Sequence, residues 1–196
     1  MSEVQNARLA TLVALAEKRP GLGRTAFMKL SYFLQALRNV PLAYRFTLYS
    51  YGPFDSSVLS DLASAEVLGA LHSELRFYPS GYGYEIVPTE RSGSVKALAR
   101  DFIQQHDADI SWVIGEFAMF GSADLELLGT IVYVDQEFAR INESLTVEKL
   151  AQRVLEIKPH FKESYISSKV ADLYSRGLLR SLAAANPAAV GRPTAT

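Results

Sequence analysis

A chain of 196 residues, 48% hydrophobic and 21% charged, with a net charge of −1, has the composition of a globular protein of roughly one to one and a half domains. It contains no cysteine, which excludes disulfides, thiolate metal sites and thiol catalysis. The near-neutral balance argues against a protein that coats nucleic acid. Charge is nevertheless uneven. Residues 1–50 carry seven Lys/Arg (Arg8, Lys18, Arg19, Arg24, Lys29, Arg38, Arg45) against Glu3 and Glu17, a surplus of five, while the rest hold 13 basic and 19 acidic residues. That polarity fits an acidic partner or, more simply, a solvated basic face. The first residues lack the layout of a signal peptide. The most apolar region, 110–134, is interrupted by Glu116, Asp124 and Glu126, where a membrane span needs about 20 mostly apolar residues. The expectation is a soluble, cytoplasmic protein with no membrane contact.

In chain order, Leu9, Leu12, Val13 and Ala16 predict a helix over 4–18, stopped by Arg19-Pro20-Gly21. Thr25 is expected to cap a second helix to about Arg38, with Leu30, Phe33, Leu34 and Leu37 as its core stripe; Asn39 and Pro41 end it. Residues 44–51 alternate as a strand, Tyr44, Phe46 and Leu48 on one face and Arg45, Thr47, Tyr49 and Tyr51 on the other. Gly52-Pro53 breaks that strand, and Asp55 or Ser56 caps a third helix over 56–68 with Val58, Leu59, Leu62 and Leu68 inward. Residues 70–88 read as a hairpin turning at 79–83.

From 92 to 183 the period is helical. Val95, Leu98, Phe102 and Ile103 form one stripe; Trp112, Val113, Phe117 and Phe120 form another. Ser122 caps the next helix, and Thr146 caps a helix ended by Lys158-Pro159. The last helix runs over about 163–176 with Gly177 at its C-cap. The composition of 184–196 predicts a disordered tail.

Chemistry-bearing motifs are sparse. The three histidines show no i, i+4 pair, and a metal site at His106-x-x-Asp109 is a weak expectation. Gly21-x-Gly23 lacks the rest of a phosphate loop, and no serine sits in G-x-S-x-G. The chain is not expected to be an enzyme, and no cofactor is expected. Helix, helix, strand, helix and two-stranded wing is a winged-helix order. The helix before the wing holds Asp55, Asp61 and Glu66 and no cation, so it is expected to repel nucleic acid and favour protein. The aromatic cluster from Tyr44 to Tyr84 reads mainly as core, with Tyr49 and Tyr51 as partly exposed anchors.

The Lys29-Leu30-x-Tyr32-Phe33-Leu34-Gln35 helix, followed by Tyr49-x-Tyr51-Gly52-Pro53-Phe54 and the Asp61-Leu62 helix, resembles the Panacea (SocA-like) antitoxin-domain superfamily. Within it the sequence looks closest to the uncharacterised bacterial YwgA-like proteins, through Tyr44-Arg-Phe-x-Leu-Tyr-x-Tyr-Gly-Pro53 and Lys158-Pro159-x-Phe161. The resemblance implies a module that binds a toxin protein or delivers it to a protease.

The expected fold is mostly α with a small antiparallel β-sheet (α+β): a single domain over 1–183, winged-helix-like over about 4–90 and helical over about 91–183. The expected function is a non-enzymatic protein-interaction module. Its partner-binding residues are Lys29, Tyr32, Gln35, Tyr49, Tyr51, Gly52, Pro53 and Phe54, and its partner is a protein such as the product of an adjacent gene. A homodimer is left open, and a winged-helix DNA-binding transcriptional regulator is the alternative.

Overall fold

Every residue from Leu9 to Ala16 is buried, and that run decides the front of the chain. A helix buried on all sides is a central helix, not a surface one. In the computed structural model, which describes residues 2–78, 81–143 and 145–183, it is α1 (Glu3–Lys18). Its one polar side chain in the run, Thr11, donates to the carbonyl of Ala7 at 2.8 Å. Pro79 and Ser80 of the turn expected at 79–83, and the disordered tail expected at 184–196, lie outside the described residues.

The chain divides into two compact units, Met1–Glu126 and Leu127–Thr196. In the first, α1 packs against α3 (Ser56–Val67), α4 (Ser92–Ala97) and α5 (Arg100–Phe117), and α2 (Arg24–Arg38) packs on α5. Phe33 of α2 stacks on Phe117 of α5 with centroids 4.1 Å apart. The expected cap at Thr25 is replaced by Gly23, which offers no side-chain bond. Asn39 closes α2 in the left-handed region at φ 55°, a conformation asparagine tolerates better than most residues. The stripe predicted from Val95 to Ile103 is split at Leu98–Ala99 into α4 and α5.

Two antiparallel two-stranded sheets complete this unit. The segment 44–51 forms a strand only over β1 (Thr47–Tyr49), and Gly52–Phe54, expected to be a break, is its partner β2. The second sheet pairs β3 (Leu71–Tyr78) with β4 (Gly81–Pro88) from Leu71↔Pro88 to Tyr78↔Gly81. Leu22 bridges Ile86 of β4, with backbone bonds of 2.9 and 3.0 Å on either side. Gly21, at φ 85°, makes that approach in a region that costs glycine little.

The division between the units falls within α6 (Ser122–Arg140). The second unit takes the buried Leu127, Leu128, Ile131 and Val132 of α6, then α7 (Val147–Ile157), α8 (Glu163–Ser175) and α9 (Arg180–Ala183). α7 packs on α8, through Leu150 and Val154 on one side and Ile166 and Val170 on the other, all buried. Thr146 caps α7 by accepting from the Lys149 N–H at 3.3 Å. Gly177 follows α8 at φ 68°. The fold is therefore mostly α with small antiparallel sheets. Among the described residues no single helix is long and apolar enough to cross a membrane.

Candidate functional site

The connection from α2 to α3, residues 39–55, has little regular structure of its own, so its polar backbone must be satisfied from outside. Side chains of the neighbouring helices do this one after another. Arg8 of α1 donates from Nε to the Leu42 carbonyl at 2.7 Å and from Nη2 to the Ala43 carbonyl at 2.5 Å. Its guanidinium lies 4.3 Å from the centroid of the Tyr44 ring. Gln35 of α2 grips the Tyr44 backbone twice: Nε2 donates to the carbonyl and Oε1 accepts from the N–H, both at 2.9 Å. Lys29 reaches the Pro53 carbonyl at 2.7 Å. The Tyr44 hydroxyl donates to Asp61 of α3 at 3.0 Å.

The far end is held by Asp55, which caps α3. Its carboxylate accepts from the Ser57 N–H at 2.8 Å and the Arg45 N–H at 2.5 Å. Burial works against the charge on Asp55, but these backbone donors outweigh it and hold the carboxyl below its ordinary range. For Asp61 burial dominates and pushes the carboxyl up, with the Tyr44 hydroxyl and Arg8 opposing it. Burial likewise pushes the Tyr44 hydroxyl up, reinforced by Asp61 beside it.

This frame corrects the expected binding face. Lys29 is 2% exposed and Tyr32 is buried with it; neither presents a surface. The Tyr32 ring packs against Phe33 and edge-on to Phe46, with centroids 5.7 and 5.2 Å away. Gln35 is half-buried against Tyr44, Gly52 and Pro53 are buried, and Phe54 is half-buried. Six of the eight expected site residues (Lys29, Tyr32, Gln35, Gly52, Pro53, Phe54) thus build the connection. The other two are outside. Tyr49 is 62% exposed and Tyr51 75%, at the tip of the β1–β2 hairpin, with the Tyr49 ring tilted against Phe54 at 5.5 Å. Gly52 turns that tip at φ 83°.

The acidic face expected on α3 is also corrected. Asp55 is the cap, Asp61 is buried under Tyr44, and Glu66 accepts a hydrogen bond from Ser73. Leu59 and Leu68, expected inward, are exposed, together with Ser56, Ser60, Ala63 and Val67. The outward face of α3 is neutral and partly apolar, not acidic.

The basic surplus of residues 1–50 is largely engaged within the unit. Besides Arg8 and Lys29, Lys18 pairs with Asp107 at 2.8 Å and Arg24 lies over Tyr84 at 4.9 Å. Arg38 pairs with Asp109 at 2.8 Å while lying over Trp112 at 5.0 Å. His106 meets the same Asp109 at 3.1 Å. Burial opposes the Asp109 charge, but its bonds to His106 and Arg38 prevail and lower the carboxyl. This trio ties α2 to α5. Among the described residues no three His, Asp or Glu side chains gather as a metal site.

What the sequence did not signal is the outward face of the β3–β4 hairpin. Phe77 and Tyr82, expected mainly as core, are exposed. Alternation alone cannot tell which face of a ribbon is covered.

Compared with known proteins, the chain matches no family model and no curated sequence.

Proposed function

We propose that the chain is a cytoplasmic, non-enzymatic protein-interaction module of the antitoxin-like kind, presenting the tip of the β1–β2 hairpin to a protein partner. The observation that carries this reading is the pairing of two exposed tyrosines with an anchored base. Tyr49 and Tyr51 stand in solvent, while the strand behind them is held by Lys29 at Pro53 and its approach by Gln35 at Tyr44. Rigid amphipathic rings on a preorganised turn lose little entropy on docking. The likeness of the KLSYFLQ and YGPF segments to Panacea domains supports a toxin, or another product of a neighbouring gene, as the partner.

Co-expression with the adjacent gene product tests this directly. The two proteins are expected to co-purify, and Tyr51→Ala to weaken binding by roughly tenfold or more at an unchanged melting temperature. Lys29→Met, in contrast, is expected to lower the melting temperature first, since it removes a bond of the frame. Full-strength binding by Tyr51→Ala, or no complex, would reject the reading.

A winged-helix DNA-binding regulator is the second reading. It is favoured by α3 leading into the β3–β4 hairpin and by Leu22 adding a bridge to that hairpin, as in a winged helix. Against it, the outward face of α3 (Ser56, Leu59, Ser60, Ala63, Val67) offers no cation to a phosphate. Failure to shift duplex DNA at about 50 mM salt, where electrostatic binding is strong, would eliminate it.

A further inference from the structure

The β3–β4 register pairs Leu75 with Tyr84 and Phe77 with Tyr82. Residues two apart on a strand share a face, so these four side chains stand together. Phe77 is 81% exposed and Tyr82 70%, with Leu75 and Tyr84 nearly half exposed. The charged residues of the ribbon go to the other side, where Glu74 is opposite Glu85 and Arg76 bonds both at 2.7 and 3.1 Å. An apolar face sorted so cleanly from its charges marks a surface that meets another.

We propose that this face seats a second copy of the chain in an isologous two-fold dimer built on Leu75, Phe77, Tyr82 and Tyr84. Charge is the first argument. A two-fold axis lays a patch on itself, so any charge on it meets its own copy. These four side chains carry none, and the nearby cation, Arg24, is engaged with the Tyr84 ring. Area is the second. Each aromatic ring buries about 150–250 Å². Three partly exposed rings and a leucine, fully covered on both copies, therefore reach on the order of 1,000 Å², the size a biological interface has to clear and the range of weak, reversible dimers. Nucleic acid is a poor occupant of a face whose four side chains carry no cation. The residues differ from those of the β1–β2 tip, so the dimer and the hetero-partner are separable.

Sedimentation equilibrium of the full chain over roughly 1–100 μM, where a micromolar interface populates, is expected to show a monomer–dimer shift. Phe77→Glu is expected to raise the dissociation constant by about tenfold or more, with wild-type circular dichroism; Tyr82→Ser serves the same purpose if that variant does not fold. Tyr51→Ala is expected to leave the dimer constant unchanged. A wild-type chain that stays monomeric throughout overturns the proposal, as does a dimer indifferent to both hairpin substitutions. A monomer whose hairpin face binds an apolar dye only after residues 184–196 are removed assigns the face to that segment and overturns it equally.

Discussion

Lys29 and Asp55 fix the backbone on and beside β2 by opposite chemistry. Lys29 brings its buried amino group to the Pro53 carbonyl, an acceptor that still needs a donor although proline has no N–H of its own to give. Asp55 brings a carboxylate to two backbone N–H groups. That bond has a pH signature. The folded carboxyl is lowered, so its stabilisation is present above the ordinary carboxylate range and is lost as pH falls through the folded value. Asp61 runs the other way: its folded carboxyl is raised, and its contribution weakens as pH rises through that folded value. Asp55→Ala is therefore expected to cost about 1 kcal/mol near neutral pH and progressively less in acid. Urea unfolding of both proteins at about pH 7 and about pH 2.5 measures the gap; a gap of equal size at both would show that the charge on Asp55 does not act as described.

At the scale of elements, the connection over 39–55 is the distinctive part of the fold, and Gln35 is its central clamp. Its amide replaces a missing strand, donating to and accepting from the same residue. Gln35→Leu leaves the Tyr44 N–H and carbonyl without that partner and is expected to cost about 2–3 kcal/mol. Limited proteolysis is expected to cut within 39–55 well before it cuts α2 or α3; a variant as resistant as the wild type would show that the segment is held by other contacts. The helices themselves were largely legible. Asn39, Asp55, Thr146 and Gly177 mark ends through local backbone chemistry, which acts within a few residues. The alternation of 44–51 was legible too, with Tyr44 buried and Tyr49 and Tyr51 outside. The partners were not. Lys29 meets Pro53 from 24 positions away and Arg8 meets Leu42 from 34, and no periodicity carries such distances. Lys29 and Tyr32 lie off the apolar stripe of α2, so a charge and a hydroxyl read as surface until the covering segment is seen. The acids of α3 misled for the same reason: each is consumed by a nearby donor.

At the scale of the whole molecule, each unit has its own core and its own buried polar anchor. In the first unit the anchor is the Arg8–Tyr44–Asp61 group. In the second it is Asp135 on α6, fully buried. Its two oxygens accept from the Arg180 N–H at 2.7 Å, the Ser181 N–H at 2.9 Å and the Ser181 hydroxyl at 2.5 Å. These N–H groups open α9, where a helix has donors without intrahelical partners. A carboxylate there satisfies several at once and complements the dipole of the turn. Three donors on one acceptor group make the loss cooperative, and Asp135→Ala is expected to destabilise the second unit by roughly 3 kcal/mol, the upper range for a bond to a charged group. Asp135→Asn should fall between, because its single amide oxygen cannot accept all three and its NH₂ faces another donor. Hydrogen exchange resolved by peptide reads this out: protection is expected to drop first over 178–183 and then over the Asp135 turn of α6. If 178–183 exchanged at the wild-type rate in Asp135→Ala, α9 would be held by the packing of the buried Leu179 and Leu182 and not by the carboxylate.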